Sequence, residues 1–371
     1  MRVLHISTFS PTQCGIATFT EDLIANLVGV ESLKLRMQYE INSPTQGFFA
    51  CLRTEDHWTY TEVARAINNS DVEVVSLQHE FGIFGGEDGD YVTSFVSEIT
   101  RPIVATLHTT SALLTAHRKG ILQTVVQASK KVVVLTEESA KYVRTELRVP
   151  ATKVDVIRHG VPDVAFAFPE SLPLRLQYNG ALVLVSAGHV RPSKGYQVAL
   201  AALAKLKDRG VHFVYLILGT SQPQWDKTGE QQQGLEDQIR SLGLQDHVVW
   251  VRRYLEAEEL FKHIQAADVG LVPYTEPDQI SSGILPLMLA CGRPVVATKF
   301  DCAKSIANGV NGVLLVDINN PDRLCDALAE IAAKPAGLRP LMEVCYEQTR
   351  PWLWKHSAHR YREVFTEAIS A

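Results

Sequence analysis

Short apolar runs rich in β-branched residues alternate along the chain with amphipathic stretches of helical period, the pattern of βαβ units that build parallel sheets. In the first half the runs are Val3 to Ser7, Val72 to Leu77, Ile103 to Leu107, Val132 to Leu135 and Val154 to Ile157. The stretch from Val161 to Gly180, with Pro162, Pro169 and Pro173, breaks the alternation and reads as a linker. Runs resume at Leu182 to Ser186, Phe213 to Leu218, Val248 to Val251, Val269 to Val272 and Val295 to Thr298. From Trp352 to Ile369 the apolar positions follow a helical period, which predicts a closing helix. The expected organisation is one α/β domain over residues 1–168, a second over 169–350 and a terminal helix over 351–371.

Composition supports two cores. The chain has 371 residues, too many for one ordinary core, with 46% hydrophobic and 21% charged residues, so disorder is not indicated. A formal net charge of -5 gives no general attraction to nucleic acid. The six cysteines are scattered without C-x-x-C spacing, which suggests neither zinc nor a disulfide framework and fits a cytoplasmic protein. The start shows no secretory pattern, and no apolar run reaches the roughly 20 residues of a membrane span, so membrane contact is expected to be peripheral at most.

In open parallel sheets, ligands bind beyond the carboxyl ends of strands. In the second half one such segment is Gly188-His189-Val190-Arg191-Pro192-Ser193-Lys194-Gly195, where Arg191 and Lys194 can converge on an anion such as a departing diphosphate. A solvated turn fits the same spacing equally well. Another is Gln279-Ile280-Ser281-Ser282-Gly283-Ile284, where serines and a glycine open a helix whose free N–H groups suit an anion. A plain serine N-cap explains the residues too. In the first half, Gly15 and Ile16 follow the first strand, but the G-x-G-x-x-G fingerprint is missing, which argues against a nicotinamide enzyme. His108 follows a strand and can hold a sugar hydroxyl or be simply structural. The polar, glycine-rich loop from Gln78 to Asp90 offers His79 and Glu80 on an acceptor side; its Asp88-Gly89-Asp90 reads as a solvated turn rather than a metal site, and His356 with His359 lacks a third ligand.

Taken together, these segments resemble glycosyltransferase family 4, retaining enzymes with the GT-B arrangement of two Rossmann-like domains facing a central cleft. GHVRPSKG looks like the family's Arg/Lys turn, LACGRPVVAT like the segment after its donor-binding helix, PTQCGIATF like its first loop and KVDVIRHGVPD like the close of its first domain. The resemblance implies catalytic roles for His108, Arg191 and Lys194. It implies donor contacts from Gly15, Ile16, Arg253, Tyr254, Gln279, Ser281, Ser282, Gly283 and Ile284. It further implies a nucleotide-diphosphate hexose as substrate, of GDP-mannose or UDP-glucose type with a lean towards a mannosyltransferase-like subset, a hydroxyl acceptor, and no metal or other cofactor.

One departure stands out. The family usually has two glutamates eight positions apart around the donor-binding helix, and ungapped counting places Gln279 and Leu287 there, with Glu276 nearby. Leu287 accepts no hydrogen bond and is expected to face inward, while Gln279 can bind only as a neutral group. The missing carboxylates motivate a second reading, a nonenzymatic nucleotide-sugar binder. A phosphorylase or epimerase on the same fold is a third.

Overall fold

The computed structural model describes residues 1–38, 47–178, 180–221, 226 and 228–370, with Gln38 described by its backbone alone. The chain forms two compact units, one of Met1–Gly160 with Trp352–Ala371 and one of Val161–Pro351.

Among the described residues the first unit has seven strands: β1 (Arg2–Ser7), β2 (Glu31–Gln38), β3 (Ala50–Arg53), β4 (Val74–His79), β5 (Ile103–Leu107), β6 (Lys131–Val134) and β7 (Val154–Val156). They pair in parallel in the order β3-β2-β1-β4-β5-β6-β7. β1, β4 and β5 lie at the centre of the sheet: all of β1 but Arg2 is buried, and every residue of β4 and β5 is buried, including the polar His5, Ser76, Gln78, His79 and Thr106. The run expected from Val72 lies two residues early: Val72 is buried, but pairing with β1 begins at Val74. β2 and β3 were not anticipated, although Leu33, Leu35 and Met37 alternate with polar residues as a strand requires.

The closing helix runs over Trp354–Ser370, since Pro351 lies in a tight turn over Arg350–Trp352. It buries Trp354, Ala358, Tyr361, Phe365 and Ala368, positions three or four apart that form one stripe. The Tyr361 hydroxyl lies 3.1 Å from Thr106 Oγ1 on β5. Burying each large side chain of this stripe contributes about 1.5–3 kcal/mol. This face explains why the helix belongs to the first unit.

The second unit has β8 (Leu182–Ala187), β9 (Phe213–Leu218), β10 (Val248–Val251), β11 (Val269–Val272), β12 (Val295–Thr298) and β13 (Val313–Val316), parallel in the order β10-β9-β8-β11-β12-β13. β13, a short apolar run after Asn311-Gly312, was not anticipated. The boundary also differs from residue 168. Gln265 Nε2 donates to Ala165 O at 2.7 Å, the Tyr346 hydroxyl to Val164 O at 3.0 Å, and the buried Arg293 guanidinium to Ala167 O and, at 3.3 Å, to Ala267 O. Phe166 and Phe168 pack on the second core. The stretch read as a linker is therefore fastened to the second unit, apart from Asn179, which lies outside the described residues.

Candidate functional site

In the first unit, β1, β4 and β5 are neighbours, so the segments that leave their carboxyl ends meet. β4 and β5 pair up to His79 opposite Leu107, and His108 N donates to His79 O at 3.0 Å. His108 Nε2 lies 2.8 Å from Gln78 Oε1. Burial, with smaller contributions from His159 and His79, pushes the His108 imidazole down to about 3, so it is neutral at ordinary pH.

His79 does not reach outward as an acceptor-side residue would. It is fully buried, edge-on to Phe81 with centroids 5.1 Å apart and stacked near Phe84 at 5.9 Å, and among the described residues neither ring nitrogen has a hydrogen-bond partner. Burial lowers it to about 4. The turn Phe81–Ile83 that follows β4 buries Phe81 and Ile83, and the rings of Phe81 and Phe84 lie against His79. Glu80 accepts from Thr109 Oγ1 at 2.6 Å and from Phe81 N at 3.1 Å, so it braces the two loops.

Gly15 and Ile16 begin the helix Gly15–Asn26, where N–H groups have no acceptor within the helix. Cys14 Sγ caps Ala17 N at 3.4 Å. A side chain built on Gly15 would meet nothing within 4 Å, so the backbone there is approachable. The loop before it is anchored by Arg36, which sequence reasoning missed: a fully buried guanidinium that donates to Phe9 O at 3.3 Å and to Ser10 O, 4.7 Å from the Phe48 ring. Its signal was a basic residue inside the β2 alternation. The loop from Gln78 to Asp90 is fixed in place. Gly85 N donates to the Tyr60 hydroxyl at 2.9 Å, and Arg118 binds Asp88 at 2.6 Å, which holds that carboxyl below the usual range.

In the second unit, the turn after β8 winds through Pro192–Lys194 into the helix Tyr196–Asp208. Gly195 has φ 68, and a β-carbon there would collide with the Pro273 carbonyl, so only glycine lets the turn lie this close to the segment after β11. Thr275 N donates to Ser193 O at 3.1 Å, and Lys194 Nζ sits 3.7 Å from the centre of the Tyr274 ring. The cation turn and the start of the segment that leads to residues 279–284 are thus held together by adjacent strands β8 and β11. Tyr274 opens a segment that its place after a strand marks out, but the sequence gives it no role of its own.

Further along, Gln279 Nε2 donates to Ser281 O at 3.1 Å, Cys302 N donates to Gln279 O at 3.0 Å, and among the described residues Gln279 Oε1 is buried without a partner. Ser282 Oγ accepts from Leu285 N at 3.3 Å and caps the short helix Ile284–Ala290 that Gly283 precedes. Leu287 is only partly buried, whereas Leu285, Pro286 and Met288 face the core, so the expectation of an inward Leu287 is corrected by one position of helical phase. Glu276 is exposed. Arg253 and Tyr254 leave the edge strand β10, apart from β11; Arg253 forms a two-pronged pair with Glu259, its Nη1 2.8 Å from Oε2, and Tyr254 is exposed.

Residues 181–334, the bulk of the second unit, match the family model of Glycosyl transferases group 1. The chain is glycosyltransferase family 4-like. It has the two Rossmann-like α/β units of the GT-B fold. This family 4-like chain is similar to a D-inositol 3-phosphate glycosyltransferase of Saccharomonospora viridis, 30% identical over 52% of this chain and 44% of that protein. It is also similar to one of Paenarthrobacter aurescens, 26% identical over 81% of this chain and 77% of that protein. The chain spans about half the length of the curated relatives it matches. In fold it resembles sucrose-phosphate synthase from Thermosynechococcus elongatus, with TM-score 0.81, 17% identity and coverage of 100% and 99% of the two chains. The Anabaena protein HepE in complex with UDP-glucose gives TM-score 0.76, 15% identity and coverage of 99% and 100%. Among the described residues, no helix is long and apolar enough to cross a membrane.

Proposed function

We propose that the chain transfers a hexose from a nucleoside-diphosphate sugar to a hydroxyl acceptor with retention of configuration. The observation that carries this reading is the cation turn of the second unit: Lys194 on the face of Tyr274, and Ser193 tied to Thr275 at the head of the segment 274–284. Arg191 and Lys194 neutralise charge that grows on the leaving diphosphate, and the amides of Ser282 to Ile284 supply donors from the same segment. Charge that is placed in advance lowers a barrier by several kcal/mol. His108, neutral and braced by Gln78, serves to hold a substrate hydroxyl rather than to carry positive charge. Gln279 stands in for a carboxylate as a neutral partner of sugar hydroxyls. In this reading the positive side chains do the work of a metal.

The UDP-glucose complex of HepE supports UDP-glucose as the first donor to test, with GDP-mannose beside it. The relatives named for D-inositol 3-phosphate support a polyol hydroxyl as acceptor. The test is thermal shift against UDP, GDP, UDP-glucose and GDP-mannose, followed by a transfer assay. A ligand at 100 times its dissociation constant adds about 2.7 kcal/mol to stability. Absence of a shift with every nucleotide overturns the reading, and tight binding of a nucleotide sugar without transfer to any acceptor or to water turns it into a binding protein.

A further inference from the structure

A lysine that must meet a diphosphate faces a conflict of design. It needs a partner that fixes its direction, yet a carboxylate partner would neutralise it and compete with the incoming anion. The aromatic face resolves this, because a ring attracts an ammonium through its quadrupole while carrying no net charge.

The second unit contains that arrangement. Lys194 Nζ lies 3.7 Å from the Tyr274 ring centre, and among the described residues no carboxylate pairs with it. The ring cannot swing away: Tyr274 is buried and stacks on the fully buried Phe300, with centroids 4.9 Å apart and planes at 27°. Its backbone is pinned as well. Thr298 Oγ1 donates to Tyr274 O at 2.6 Å, and Thr275 donates through N to Ser193 O at 3.1 Å and through Oγ1 to Pro192 O at 3.4 Å. The glycine at 195 lets the turn come close enough for the contact.

We propose that Tyr274 is a positioning residue for Lys194, its ring holding the ammonium in place for a diphosphate. This rests on the nucleoside-diphosphate reading above. The ring acts through Lys194 and need not touch the sugar.

Two measurements test it. The first uses no ligand: the Lys194 ε-methylene protons, assigned by NMR with Lys194→Met as the control, should be shielded by the ring current. The shielding should persist in Tyr274→Phe and vanish in Tyr274→Leu. The second is titration with UDP and with GDP. Tyr274→Phe should bind the preferred nucleotide as the unmodified protein does, whereas Tyr274→Leu should bind it roughly 3- to 30-fold more weakly, the range expected for losing one cation–π contact. In a Lys194→Met background, Tyr274→Leu should weaken binding no further. Unshielded Lys194 protons in the unmodified protein, equal binding by the Phe and Leu variants, or an undiminished Leu effect without the lysine would each overturn the proposal. If the unmodified protein binds neither UDP nor GDP, the functional reading falls, while the shielding still decides whether Tyr274 holds Lys194.

Discussion

The Phe19 ring meets the His108 imidazole edge-on, with centroids 4.8 Å apart and planes at 89°. Phe19 also meets Trp354 and His159, each at 5.0 Å. A residue of the first helix, one after β5 and one of the last helix thus share a single aromatic cluster, and the closing helix helps to enclose the candidate histidine.

Trp354 is the closing helix's part of that enclosure, against Phe19 and His159. It is 4% exposed, and a β-carbon on Gly160 would collide with its ring. Trp354→Ala is expected to lower stability by about 3–5 kcal/mol. Urea unfolding measures it, and a change below about 1 kcal/mol would mean that the helix is not packed as described.

Acid should weaken the first unit. His5, His79 and His108 are buried and pushed down to about 3, 4 and 3 from 6.5. Below pH 6.5 the unfolded chain takes up protons that the folded chain refuses, so stability falls as pH drops from 6.5 towards 4, by up to about 1.4 kcal/mol per pH unit for each histidine. His79→Phe should reduce this slope and leave stability at pH 7 equal or higher, because it replaces a buried, unpartnered polar ring between Phe81 and Phe84. Denaturant unfolding at pH 7 and pH 5 reads both effects, and a slope unchanged in His79→Phe contradicts them.

Arg191→Ala and Lys194→Ala are expected to leave the fold intact and to reduce kcat by about 100-fold each, since each cation acts on charge that grows in the transition state. Steady-state kinetics with the preferred donor decide. Turnover within twofold of the unmodified protein in both variants removes them from catalysis.

Gln279→Ala and Leu287→Ala should separate. Gln279→Ala removes a buried, unpartnered oxygen, so it should impair transfer while stability holds or rises. Leu287 is partly exposed, so its truncation should cost at most about 2 kcal/mol and little activity. Full activity in Gln279→Ala would direct attention to the exposed Glu276.

Transfer should continue in EDTA at an unchanged rate, because Arg191, Lys194 and the helix-end amides are proposed to supply the positive charge. An assay with and without manganese checks this, and dependence on the metal would reopen Asp88 and Asp90, the first of which now pairs with Arg118.

The sheets were legible where strands are buried on both faces, because continuous apolar runs such as Ile103 to Leu107 have no other use in a chain of this pattern. β2 was missed because it shows only a short alternation of Leu33, Leu35 and Met37 with polar residues in place of a continuous apolar run, and the alternation alone does not show that Arg36 is buried and holds the carbonyls of Phe9 and Ser10. The positions of the two segments proposed to meet an anion were legible as strand exits, and so was the strand before His108. The burial of His79 was not, since it depends on how Phe81 and Phe84 fold back over it. A role for Tyr274 was not legible because its partner Lys194 lies eighty positions away in the sequence, brought near only by the pairing of β8 with β11.

The first unit is discontinuous: its core includes Trp354, Tyr361 and Phe365, while the second unit ends at Pro351. A ribosome therefore delivers every residue of the second unit before the last helix of the first. The nascent first unit must wait, with the Phe19 and His108 face uncovered, until the whole second unit has been made and the closing helix follows it. Chaperone demand should concentrate in that interval, and a stop codon just before Trp354 should leave the second unit with all of its own residues and the first as an aggregation-prone fragment.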